Sequence, residues 1–80
     1  MFSYTICNSF SEQIYMRTCK TLEERVPNIR KRRSLHDVDD TRIQLYTCGK
    51  DEIKVVNDYS TDAVYIDSEI DLSPYIMKKE

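Results

Sequence analysis

Residues 2–7, FSYTIC, alternate: Phe2, Tyr4 and Ile6 fall on one side of an extended chain and Ser3, Thr5 and Cys7 on the other. Alternation among β-branched and aromatic residues predicts a half-buried strand. The period then changes. Tyr15, Cys19, Leu22 and Val26 recur at spacings of four, three and four, the stripe that one face of a helix produces. Ser9 with Glu12 three residues later forms a capping box at its start. Pro27 ends it, because the residue before a proline is pushed out of helical geometry. A helix over 10–25 is the first expectation. A rival pattern overlaps it. Ile14, Met16 and Thr18 also alternate, and TLEE at 21–24 is a second capping box. A hairpin of 2–7 with 13–19, followed by a short helix from Leu22, therefore stays open.

Residues 27–41 show no period and predict a charged connecting loop. Three strand-like runs follow. RIQLYTC (42–48) puts Ile43 and Leu45 on one face and Tyr46 on the other; EIKVVND (52–58) alternates about Ile53 and Val55; AVYID (63–67) is the third. CGKD predicts a hairpin turn around Gly49. The polar NDYSTD connector is too short for a parallel crossover, so antiparallel neighbours are expected. Ser73 and Pro74 suit an N-cap and first helical position, with Leu72, Ile76 and Met77 to pack and Lys78 and Lys79 to complement the helix end. The fold class predicted is α+β: one domain over 1–80, with a sheet of about four mainly antiparallel strands, one main helix in the order β-α-β-β-β, and a short C-terminal helical turn.

Composition narrows the function. An 80-residue chain builds a small core, yet six Tyr and two Phe are too many aromatic residues for a disordered one. Gly49 is the only glycine, which removes every glycine-rich phosphate cradle. Cys7, Cys19 and Cys48 are odd in number and far apart, and His36 stands alone. Neither a disulfide framework nor a zinc site is predicted, so the thiols are expected reduced. The N-terminus lacks a basic segment followed by an apolar one, and no apolar run approaches the ~20 residues of a membrane span. The expectation is a cytoplasmic protein.

Catalytic chemistry finds little support. His36, the only imidazole base, lies in the least patterned stretch. Carboxylates cluster at Asp37/Asp39/Asp40, Asp51/Glu52 and Asp58/Asp62, but so short a chain leaves little surface for a cleft. DVDDT lacks the glycine and closing Glu of a calcium loop. No enzymatic activity, cofactor or metal is expected.

Charge is the sharper signal. Residues 1–36 hold seven cations and three acids, a balance of +4; residues 37–80 hold five cations and eleven acids, a balance of −6. Together they give the −2 of the whole chain. Arg30, Lys31, Arg32 and Arg33 form an unbroken basic run, with Asp37, Asp39 and Asp40 near enough to temper it. Asp51, Glu52, Asp58, Asp62, Asp67 and Glu69 fall at strand ends and connectors, where they are candidates for an acidic band beside Tyr59. These partner-binding candidates predict a non-enzymatic protein-binding domain that docks on a nucleic-acid-handling protein. Phages and other mobile elements often encode small acidic chains that inhibit host or defence proteins, and an anti-defence inhibitor is the expectation within that class. The alternative is a nucleic-acid-binding module using residues 30–33 with Arg17, Lys20 and Arg25. The opposed halves also allow a salt-sensitive homodimer.

Overall fold

The computed structural model describes residues 1–76. They form β1 (Phe2–Cys7), α1 (Glu12–Arg25), β2 (Ile29–His36), β3 (Arg42–Cys48), β4 (Asp51–Asp58), β5 (Ala63–Ser68) and α2 (Ser73–Ile76). The five strands make one antiparallel sheet in the order β1-β5-β4-β3-β2. The first two strands in sequence are therefore the two edges, and α1 carries the chain across one face of the sheet between them. Among the described residues no helix is long and apolar enough to cross a membrane.

The α+β class and the main helix stand as expected, but the sheet has five strands rather than four. The additional strand is β2, inside the segment expected to be a loop over 27–41. Its pairing with β3 runs from Ile29↔Cys48 to His36↔Arg42, yet every side chain from Arg30 to His36 is exposed. An edge strand bonds its backbone on one side only, and here only Ile29, at its start, packs against the core, so no alternation of apolar residues marks it. Asn28 at φ 62 turns the chain out of α1 and into this strand.

The helix reading displaces the hairpin over 13–19. Tyr15, Thr18, Leu22 and Val26 are buried against Tyr46, Ile53, Val55, Val64 and Ile66 of the sheet, with Leu72 closing the cluster. The N-cap is Ser11 rather than Ser9: its side chain accepts from the Ile14 N–H at 3.2 Å. The chain before it is pinned extended, because Asp62 Oδ1 accepts from the Phe10 N–H at 2.6 Å and Asn57 Oδ1 from the Ser11 N–H at 3.1 Å. In β1 the strict alternation fails at one residue. A bulge between Thr5 and Cys7 sets Cys7 opposite Val64 and turns Ile6 outward, 37% exposed.

Cys48 pairs with Asp51, so Gly49 and Lys50 form a two-residue hairpin loop. Gly49 sits at φ +64, the left-handed region that the first position of such a turn requires. Leu72 is buried and Ile76 packs against the core, as the tail pattern predicts. The roles expected of Met77, Lys78 and Lys79 lie outside the described residues.

Candidate functional site

Strand β2 concentrates the basic run on an edge, and its pairing explains how the four cations are displayed. Lys31 lies opposite Tyr46, on the face that α1 covers, while Arg30 lies opposite Thr47 on the open face. Between Lys31 and Ser34 the register slips, and Arg32 and Arg33 together face Leu45 as a bulge. Gln44, buried beneath, holds this bulge: its Nε2 donates to the Arg32 carbonyl at 3.0 Å, the Arg33 carbonyl at 3.4 Å and the Leu45 carbonyl at 3.1 Å. Bulges and cations are how exposed sheet edges avoid indiscriminate pairing. The run therefore has a structural task even before any partner is considered.

Because α1 packs over the middle of the sheet, a groove opens between it and β2. Arg17, Lys20 and the exposed Met16 line it from the helix, and Lys31, His36 and Arg42 from the sheet. It holds four permanent cations and one carboxylate, Glu23. Glu23 is engaged twice: the Tyr46 hydroxyl donates to it at 2.5 Å, and Lys31 Nζ lies 3.7 Å away. Arg42 pairs with Glu12 at 3.0 Å, and His36 Nε2 lies 3.4 Å from Asp40. Arg17, Lys20, Arg30, Arg32 and Arg33 have no carboxylate partner among the described residues. The aspartates at 37–40 form no ion pair with residues 30–33 among the described residues. They sit in the β2–β3 turn, where Asp37 Oδ1 accepts from the Val38 N–H and Asp39 Oδ1 from the Thr41 N–H.

The acidic candidates do not form one band. Asp58, Tyr59 and Asp62 lie at the end of the sheet that carries the 37–41 turn, and Thr41 Oγ1 joins the two turns by accepting from the Tyr59 N–H at 3.0 Å. Asp51, Glu52, Asp67 and Glu69 lie toward the opposite end, where Glu69 Oε1 accepts from the Glu52 N–H at 2.7 Å. Antiparallel strands return each connector to alternate ends, so acids at successive turns must separate. Tyr59 is 57% exposed and touches Phe10 edge to face, their centroids 5.4 Å apart.

Burial shifts the titration of the groups near the groove upward. It pushes the Cys19 thiol up, against a lowering hydrogen bond from Tyr46. Burial, with the Cys19 charge second, pushes Tyr15 up to about 12. Burial raises Tyr46 further, its hydrogen bond to Glu23 adding to the effect. Cys7, Cys19 and Cys48 are all free thiols. Among the described residues no group of three or more His, Cys, Asp or Glu side chains is placed to hold a metal ion.

The sequence grouped Arg17 and Lys20 with the basic run; Arg25 does not line this surface, and His36 and Arg42 were missed as parts of it. Their common location depends on which strand forms the edge beside α1, and only the tertiary order decides that. Comparison with protein-family models, with curated proteins and with solved structures finds no match to this chain.

Proposed function

We propose that this chain is a non-enzymatic binding domain that docks on another protein through the basic groove between α1 and β2. One observation supports this reading above the rest: Arg17 and Lys20 line the same concave surface as Lys31 and have no structural charge partner among the described residues. The groove also offers the exposed apolar side chain of Met16, 59% accessible, and methionine and arginine are both enriched at protein interfaces. The partner presents an acidic segment with at least one apolar anchor. Nucleic-acid-handling proteins, including host or defence proteins that a mobile element would inhibit, are the first set to screen. The acidic turns at 37–41 and 58–62 supply a complementary contact to the basic surfaces of such proteins.

The second reading is nucleic acid in the same groove. Its particular support is that α1 is a helix, which keeps Arg17 and Lys20 beside Lys31 rather than dispersing them on a hairpin. Phosphate contacts need only cations in a row and no base readout.

Both readings are tested by one titration series followed through backbone amide shifts, with an acidic peptide carrying an aliphatic anchor and with single-stranded and duplex oligonucleotides. Salt is set at about 50 and 200 mM, where phosphate contacts lose affinity steeply. Peptide shifts confined to Arg17, Lys20, Lys31 and His36, with none from the oligonucleotides, support protein docking. The reverse pattern transfers the groove to nucleic acid. Silence with all ligands removes both.

A further inference from the structure

The face of the sheet opposite α1 carries cross-strand rows that complement themselves under a two-fold rotation. The first row is apolar and runs Leu35, Ile43, Val56, Tyr65 from β2 to β5. Beside it, the bulged Arg32 and Arg33 stand opposite Leu45, followed by Lys54 and then Asp67. Beyond that lie Arg30, Thr47 and Glu52, with Glu69 joined to Glu52 through its backbone N–H at 3.0 Å. Each charged row is basic at the β2 edge and acidic at the β5 side. Together they wall a hollow of about 640 Å³ on this face, Arg32 and Arg33 on one side and Asp67 and Glu69 on the other.

We propose that this face is the interface of a homodimer in which two sheets stack about a two-fold axis parallel to the strands and lying over the β3–β4 boundary. Rotation about that axis turns one sheet over, lays β2 on β5 and β3 on β4 of the second copy, and leaves each row on its own counterpart. Leu35 then meets Tyr65, Ile43 lies over Val56, which its own sheet already buries, the Arg32–Arg33 bulge meets Asp67, and Arg30 meets Glu69. An isologous interface makes each of these contacts twice.

The alternative ways for two copies to meet are disfavoured by the same residues. Pairing β2 with β2 brings Arg30–Arg33 of one copy against those of the other, and the β2 and β1 edges are both broken by bulges. The stacked arrangement instead satisfies arginines that have no carboxylate partner within the described chain. It also covers an apolar row whose end residue, Leu35, is 43% exposed. The groove between α1 and β2 lies on the other face and stays open in the dimer.

The size of the face sets the strength. The four overlapping strands, about 4.8 Å apart and about six residues long, give a face of roughly 400 Å² in plan, under the ~800 Å² per partner of a stable interface. The dimer is accordingly weak, concentration-dependent and loosened by salt. Stacked sheets align to within about 30°, so contact is tightest near the axis.

The test is sedimentation equilibrium of the full chain from about 10 μM to 1 mM, a range that brackets weak association, at low salt and at about 1 M salt, where the Debye length falls to about 3 Å. Three variants accompany it: Arg33→Glu, Asp67→Lys and the double exchange, each checked for the parent's circular dichroism. The expected result is a low-salt dimer that dissociates in high salt. Each single reversal weakens it on the order of tenfold or more, since the pair is broken twice, and the double exchange restores it. A single-chain mass throughout overturns the proposal. So does a dimer indifferent to salt or to the single reversals, or one that the double exchange fails to restore.

Discussion

The hydroxyl of Tyr46, buried on β3, donates to the Glu23 carboxylate of α1 at 2.5 Å, and Lys31 on the edge strand approaches the same carboxylate at 3.7 Å. One acid thus links the core, the helix and the basic run. Tyr46 is 1% exposed, whereas Glu23 reaches solvent. Removing the hydroxyl leaves a carboxylate that water can still reach, so the loss is limited to the bond itself. Tyr46→Phe is expected to cost about 1–2 kcal/mol, read from urea unfolding. A neutral result would mean that the bond contributes nothing net.

The same tyrosine, together with Tyr15, makes the stability of the fold depend on alkaline pH. Tyr15 is held neutral up to about 12, chiefly by burial, and Tyr46 is raised in the same direction. In the unfolded chain both ionise near the ordinary value of about 10. Folded pKa values above unfolded ones mean that the stabilisation is complete below pH ~10 and is lost as pH rises toward 12. Tyrosinate absorbance is expected to show two groups titrating only with unfolding. Tyr46→Phe should flatten the alkaline fall in stability, and an unchanged slope would contradict the assignment.

Acid acts through other residues. Burial alone raises Asp58, but hydrogen bonds from Ser60 and Thr61 outweigh it and hold the carboxyl below the usual range. Asp71 is lowered by the Ser73 hydroxyl and backbone N–H and by the Tyr4 hydroxyl. Depressed folded values contribute stability above pH ~4 that is lost as pH falls through them. Asp58→Asn and Asp71→Asn are each expected to make stability less steep in acid. Carboxyl carbon titration by nuclear magnetic resonance reads the two values directly, and values at or above the unperturbed one would refute this account.

Gln44 supports the bulge that displays Arg32 and Arg33. Gln44→Leu keeps the bulk but removes the donor shared by three carbonyls. The expected cost is about 1–2 kcal/mol, with amide exchange accelerated in β2 ahead of β4, since the edge opens locally first. Uniform acceleration across the sheet would show that Gln44 serves the core and not the edge.

How far the sequence carried this reading depends on where burial leaves a trace. Tyr15, Leu22 and Val26 are legible because a helix over a sheet buries one stripe. Val64 and Ile66, like Ile53 and Val55, are legible because interior strands bury alternate residues. β2 left no such trace, since its residues beyond Ile29 face solvent on both sides and its pairing is carried by backbone groups that every residue shares. Ile6 misled for a local reason, the bulge that exchanges it with Cys7. The candidate surface was half visible. The run at 30–33 was conspicuous and Arg17 and Lys20 were grouped with it, while His36 and Arg42 joined the surface only when β2 proved to be the edge beside α1. The acidic candidates were read as one group because sequence distance hides the alternation of sheet ends.

The two faces of the molecule can be separated by substitution, because the groove cations and the open-face charges sit on opposite sides of one sheet. Arg17 and Lys20 are exposed and make no ion pair among the described residues, so Arg17→Ser with Lys20→Ser is expected to alter stability by no more than about 0.5 kcal/mol. Binding of the acidic peptide should fall about tenfold or more, as two charge contacts of roughly 0.7 kcal/mol each imply, while the self-association constant holds steady. Arg33→Glu should do the opposite, weakening self-association and sparing the groove. Isothermal titration with the peptide and sedimentation on the same preparations provide both readings. If the Arg17/Lys20 variant binds the peptide as tightly as the parent, the groove is not the docking site, whatever the oligomeric state proves to be.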